Sequence, residues 1–228
     1  MSHLILLRHG ESLWNKANRF TGWVDVPLSQ KGVEEAQVAG KELASYPIKT
    51  VFLSTLQRAQ QTAMIALAYQ EQASVPIVLS AEPEIAAKQR IYSQAAKDAM
   101  IPCHVDSRLN ERHYGELQGL DKQQTRDQYG DEQVRIWRRS FDVPPPGGES
   151  LEMTAARTLP CLYERIIPLL EKKGTCVLVA AHGNSLRSIA MAIEGLSRDE
   201  VLQLEIATGA PRVYQYTKPG AWELLSKR

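Results

Sequence analysis

Leu4-Ile5-Leu6-Leu7-Arg8-His9-Gly10-Glu11-Ser12 opens the chain, and the same construction returns at Val177-Leu178-Val179-Ala180-Ala181-His182-Gly183-Asn184-Ser185. In each, an unbroken aliphatic run ends in His-Gly. A strand buried on both faces has this composition, and it belongs to the parallel sheet of an α/β fold, whose reactive groups gather beyond the carboxyl ends of its strands. If the two strands are neighbours, both imidazoles face one crevice. A single histidine after a strand is usually a hydrogen-bonded turn residue. Two in matching contexts, the first preceded by Arg8, suit a histidine that attacks phosphorus and a second that steadies the charge.

The 228 residues, 43% of them hydrophobic, suffice for one substantial core and predict a single domain over 1–228. Lys and Arg number 27 against 26 Asp and Glu, so a basic site is a local cluster and not a global field that would draw nucleic acid or a membrane. Met1-Ser2-His3 leads into the first strand without a signal-length apolar segment, and no run approaches transmembrane length. Cys103, Cys161 and Cys176 show no paired spacing. A cytoplasmic protein with reduced thiols is expected.

Along the chain, residues 12–28 form a polar loop, and Val33, Ala36, Gly40 and Leu43 recur at helical spacing over 29–46. A short strand is expected at 50–53. Ser54-Thr55-Leu56-Gln57 matches the S-x-x-Q capping box, which places Ser54 at the start of a helix reaching Tyr69 and Arg58 in its first turn. A cation opposes the helix dipole there, and a bound anion would rationalise it. Residues 75–79 form a third strand, and 80–150 read as a polar insertion of helices and loops over the sheet edge, covering the active site. After Pro144-Pro145-Pro146-Gly147-Gly148 a helix starts at Ser150 or Glu149 and runs to about Lys172, interrupted by Pro160 and Pro168. A strand at 175–181, helices at 184–194 and 197–204, and a hairpin turning at Thr217-Lys218-Pro219-Gly220 complete the chain.

Phosphoryl transfer needs an in-line nucleophile and positive, hydrogen-bonding groups around the three equatorial oxygens. His9 can attack if it is neutral with one nitrogen's proton held by a backbone carbonyl, and Gly10 lets carbonyl and ring approach. Arg8, Arg58 and His182 can surround the oxygens. Glu111, among Asn110, Arg112, His113 and Tyr114, is the carboxylate placed to give or take the hydroxyl proton. The chain has no G-x-x-x-x-G-K-[ST], no H-E-x-x-H and no C-x-x-C. That leaves histidine, not a metal-bound water, as the candidate nucleophile.

Arg8-His9-Gly10-Glu11 with His182 resembles the histidine phosphatase superfamily. Asn15-Lys16, Phe20-Thr21-Gly22-Trp23, Leu109-Asn110-Glu111-Arg112-His113-Tyr114-Gly115, Trp137-Arg138-Arg139 and Ala181-His182-Gly183-Asn184-Ser185-Leu186-Arg187 together resemble its cofactor-dependent phosphoglycerate mutase branch. The resemblance implies a three-layer α/β/α sandwich with a mainly parallel central sheet. It also implies interconversion of 2- and 3-phosphoglycerate, primed by 2,3-bisphosphoglycerate and without a metal. His9 would be the phosphorylated nucleophile, Glu111 the proton donor and acceptor, and His182 the transition-state stabiliser beside Arg8 and Arg58. Ligand contacts would extend over Gly10, Glu11, Ser12, Asn15, Thr21, Gly22, Arg112, His113, Tyr114, Lys122, Arg138, Arg139, Gly183 and Asn184. The partners would be small phosphoglycerates, with homodimer formation left open. Against the family's longer members, 81–106 is extended and 140–149 is short. A substrate bearing both carboxylate and phosphate needs a second cationic group away from His9, which Lys122, Arg138 and Arg139 can form. A broad-range phosphatase, the alternative, needs no such group.

Overall fold

The computed structural model describes residues 1–80, 82–218 and 220–227. Among them, one sheet is built from β1 (Ser2–Arg8), β2 (Ile48–Leu53), β3 (Val75–Leu79), β4 (Met100–Val105), β5 (Cys176–Ala181), β6 (Pro211–Lys218) and β7 (Ala221–Lys227). The spatial order is β3-β4-β2-β5-β1-β6-β7. The first five of these run parallel, and the β6–β7 hairpin closes one edge antiparallel. Pro219, which the sequence assigns to the hairpin turn, lies outside the described residues. The helices are α1 (Leu13–Lys16), α2 (Gln30–Leu43), α3 (Gln57–Leu67), α4 (Pro83–Lys88), α5 (Gln94–Asp98), α6 (Lys122–Tyr129), α7 (Asp131–Arg139), α8 (Leu151–Cys161), α9 (Ile167–Leu170), α10 (Gly183–Glu194) and α11 (Arg198–Gln203).

The aliphatic runs are continuous because both faces of the sheet are covered. Leu4, Leu6, Val177 and Val179 point to one side, against Leu162, Ile166, Leu186 and Ile189. Ile5, Leu7, Leu178 and Ala180 point to the other, against Ala39, Leu43, Ala63 and Ala66 of α2 and α3. Burial of each such leucine or isoleucine stabilises the sandwich by ~1.5–3 kcal/mol. The three layers expected from the sequence are therefore present. β1 and β5 are direct neighbours, Arg8 pairing with Ala181, which brings the two His-Gly corners side by side.

Two local expectations need correction. Residues 80–150 are not all an insertion, because Met100–Val105 is a parallel strand between β3 and β2. Pro102 in the middle of that run argues against a strand, yet Ile101 and Cys103 alternate into the core beside it. The cover of the site thus begins only after β4. Second, Ser54 does not cap α3, whose N-cap is Leu56 without a side-chain bond. The Ser54 hydroxyl lies instead against His182. The interruption expected in the helix after Ser150 is present as a π turn over Leu162–Ile166, between Pro160 and Pro168. Pro168 offers no N–H to the preceding turn, so the chain accommodates an extra residue just before it.

Candidate active site

Beyond the carboxyl ends of β1 and β5 lies a cavity of about 490 Å³. The His9 backbone N–H donates to the Ala181 carbonyl, fixing the two corners at 3.0 Å. The His9 and His182 rings stand 5.0 Å apart between centroids. His9 Nδ1 is 2.6 Å from the Gly10 carbonyl. A carbonyl can only accept, so Nδ1 carries the proton and Nε2 keeps its lone pair. Burial, then the guanidinium groups of Arg58 and Arg8, hold the His9 pKa well below the ordinary histidine value, which keeps the ring neutral.

The anion-binding character is built from groups left without protein partners. Arg58 is 1% exposed. Its Nη atoms donate to the carbonyls of Gly22 and Val24 at 2.8 and 3.1 Å, which fastens the 12–28 loop to α3. Its Nε has no partner among the described residues, nor have Arg8 Nε, His182 Nδ1 and Thr21 Oγ1. Buried polar atoms are rarely left orphaned, and a phosphate presents the acceptors that the two guanidinium N–H groups and the Thr21 hydroxyl lack. Burial pulls the Arg58 pKa down to about 10, with Glu111 and Asp25 pulling it back up. It remains a cation at neutral pH.

Glu111 is held by one oxygen. Oε1 accepts from Arg112 N at 2.8 Å and from Asn184 N and Nδ2 at 3.1 Å each. No donor among the described residues reaches Oε2, which faces the space that a side chain on Gly183 would enter, as does Arg8 Nε. One oxygen is thus anchored and the other is free to exchange a proton. The segment carrying Glu111 is clamped in turn. Arg157 of α8 donates to the carbonyls of Arg108, Asn110 and Glu111 at 2.8, 2.8 and 2.9 Å, and to Glu149 at 2.8 Å. The Trp23 indole donates to the same Glu111 carbonyl.

A second cationic group comes from the cover. Lys122, Arg138 and Arg139, from α6 and α7, line the cavity together with Tyr114 and Asn15. Burial, then the neighbouring cation Arg138, lower the Lys122 pKa. Burial likewise lowers that of Arg138. Asn15 spends its amide oxygen on the N–H and hydroxyl of Ser12, which leaves its Nδ2 for a ligand.

Residues 4–82 and 88–227 match the family model of the histidine phosphatase superfamily (branch 1). The chain belongs to this superfamily. It is 53% identical over 217 residues to a 2,3-bisphosphoglycerate-dependent phosphoglycerate mutase of Protochlamydia amoebophila (strain UWE25), covering 95% of this chain and 96% of that one. It is 51% identical over 217 residues to one from Chlamydia felis (strain Fe/C-56), with 95% of each covered. In shape it is similar to a mycobacterial glucosyl-3-phosphoglycerate phosphatase, with a TM-score of 0.76 over 98% of this chain and 97% of that one, at 23% identity. That last likeness is of fold alone.

Within this superfamily fold, the candidate residues from the sequence divide into three groups. Arg8, His9, Asn15, Thr21, Gly22, Arg58, Glu111, Tyr114, Lys122, Arg138, Arg139, Gly183 and Asn184 line the cavity. His182 is fully buried behind it. Gly10, Glu11, Ser12, Arg112 and His113 do not line it. A Cβ on Gly10 would collide with the Gly32 carbonyl, so its bareness serves the approach of α2 as well as the bond to His9. Glu11 accepts from the Ser29 hydroxyl at 2.7 Å at the start of α2, and Ser12 caps α1. Arg112 donates to Tyr114 Oη and to the Arg138 carbonyl. His113 Nδ1 accepts from Gly115 N.

Sequence reasoning left out Arg19 and Arg187 as ligand residues, although both line the cavity. Arg187 lies one helical turn beyond Asn184 on α10, and Arg19 sits in the polar loop beside Thr21, so their positions carried a signal. Thr62 carried none: its hydroxyl accepts from Gly10 N and donates to the Arg58 carbonyl, tying α3 to the His9 corner.

Proposed function

We propose that this protein interconverts 2-phosphoglycerate and 3-phosphoglycerate through a phosphohistidine at His9, in the cytoplasm, as part of glycolysis and gluconeogenesis. The observation that carries the reading is the pairing of two cationic groups around one cavity. Seven cationic side chains line it against two carboxylates, more than one phosphate needs. Arg8, Arg58 and His182 serve the transferring phosphoryl group, while Lys122, Arg138 and Arg139 serve the remaining anionic group of the substrate. A broad-range phosphatase has no use for the second set.

The orphaned polar atoms of Arg8, Arg58, His182 and Thr21 suit the phosphates of 2,3-bisphosphoglycerate, and the same two cationic groups would hold it. That cofactor supplies the phosphoryl group that primes His9. In each transfer His9 Nε2 forms the N–P bond as the P–O bond to the departing hydroxyl oxygen breaks, and Glu111 Oε2 gives that oxygen its proton. In the reverse half, Glu111 takes the proton from the attacking hydroxyl and the N–P bond breaks. Arg8, Arg58 and His182 meet the charge that gathers on the equatorial oxygens.

The test is an enolase-coupled assay on 3-phosphoglycerate, with and without added 2,3-bisphosphoglycerate, accompanied by intact-mass measurement. Stimulation by the cofactor and one acid-labile phosphoryl adduct, lost in His9→Ala, are expected. Release of phosphate without isomerisation would establish the phosphatase reading instead.

A further inference from the structure

Ser54, immediately after β2, is fully buried. Its hydroxyl oxygen lies 2.7 Å from His182 Nε2 and accepts from the backbone N–H of Leu56 at 3.2 Å. The other nitrogen of that ring, Nδ1, is buried without a hydrogen-bond partner among the described residues, the ring standing in the capping position of α10 over the Ser185 backbone N–H. Nδ1 is the ring nitrogen nearer its own backbone, which continues into Gly183 on the cavity wall. Burial, then Arg58, keep the ring neutral, so it holds a single proton on one nitrogen or the other.

The two placements differ in what they leave unsatisfied. With the proton on Nε2, the ring donates to Ser54, whose own hydroxyl proton then has no acceptor among the described residues. Nδ1 would also present a bare lone pair to an arriving anion. With the proton on Nδ1, the Ser54 hydroxyl donates to Nε2 and still accepts from Leu56, and Nδ1–H becomes a donor. Only the second arrangement gives the Ser54 hydroxyl proton an acceptor and offers an arriving anion a donor.

We propose that Ser54 is a positioning residue that fixes His182 as the Nδ1–H tautomer, so that this histidine meets the transferring phosphoryl group as a hydrogen-bond donor. The proposal rests on the phosphoryl-transfer reading above. Both active-site histidines then carry their proton on Nδ1, used from opposite ends. The Gly10 carbonyl leaves His9 with a free Nε2 lone pair for attack, whereas Ser54 occupies Nε2 of His182 and leaves its N–H for binding. One serine and one carbonyl separate a nucleophile from a stabiliser.

The experiment is nitrogen NMR of the resting full-length protein labelled with 15N-histidine, the His182 signals being assigned by their loss in His182→Ala. A protonated Nδ1 and an unprotonated, hydrogen-bonded Nε2 are expected. In Ser54→Ala the Nδ1–H form should lose its dominance. Single-turnover phosphorylation of His9 by 2,3-bisphosphoglycerate should slow by roughly 10–10²-fold, less than the ~10²–10³ that follows complete loss of an oxyanion donor. A wild-type spectrum with the proton on Nε2 overturns the proposal, and it does so even if Ser54→Ala does not fold. So does a folded Ser54→Ala protein with an unchanged His182 spectrum or an unchanged phosphorylation rate. Because the wild-type spectrum needs no substrate, a protein that shows the Nδ1–H form yet fails to isomerise phosphoglycerate would refute the functional reading and not the tautomer.

Discussion

Replacing Glu111 by glutamine separates its two oxygens. The amide oxygen can stand at Oε1 and keep the three N–H donors from Arg112 and Asn184, which leaves the NH₂ group where Oε2 faces the bare Gly183. Shape is conserved and the exchangeable carboxyl proton is lost. General acid–base catalysis contributes ~10²–10⁴ in rate, so kcat should fall by that factor, about 3–5 kcal/mol of barrier at 1.36 kcal/mol per decade. The three bonds change from charged to neutral acceptor, and stability should fall by ~1–3 kcal/mol. Substrate binding should hold or tighten, because one of only two carboxylates is removed from a wall with seven cations. Coupled kinetics supply kcat and KM, rapid quench supplies the phosphorylation step, and a denaturant titration supplies stability. A kcat within a few-fold of wild type together with a sharply raised KM would show that Glu111 binds substrate and that the proton moves through another group.

Arg157→Lys keeps the charge but loses the planar fork that reaches three carbonyls and Glu149 at once. Stability should drop by ~1–3 kcal/mol, and kcat should fall more than KM rises, as Glu111 loses its fixed position; wild-type melting and kinetics together would remove Arg157 from the mechanism. The two histidines also make a pH-dependent contribution to stability. Both His9 and His182 lie well below 6.5 in the folded protein, chiefly through burial. The unfolded chain therefore binds more protons once the pH drops below about 6.5. Their contribution is fully present above that value and is lost as the pH falls toward the depressed native values. Melting curves across that window should show wild type losing more stability than a His9→Gln, His182→Gln double variant, and parallel curves would contradict the assignment.

Much of the architecture was written in local pattern. Unbroken aliphatic runs marked β1 and β5 because both faces of a central strand are buried. Ser29, Ser150 and Ser197 marked helix starts, since a capping hydroxyl must precede the N–H groups that it satisfies. The His-Gly corners, the Glu111 segment and the Arg138-Arg139 pair carried their chemistry in short contiguous stretches. What only the tertiary structure decided are the partners that meet across the chain. β4 belongs to the sheet because its neighbours supply the ladder and core that Pro102 alone would argue against. Ser54 reads locally as a cap, but His182, 128 residues away, takes its hydroxyl. Arg157 reads as an ordinary helical arginine until folding delivers the Glu111 carbonyl to it, 46 residues distant in sequence. A side chain's backbone preference is set by its immediate neighbours and can be read along the chain. The group that will satisfy its remaining hydrogen-bonding capacity is chosen by packing, which only the folded arrangement specifies.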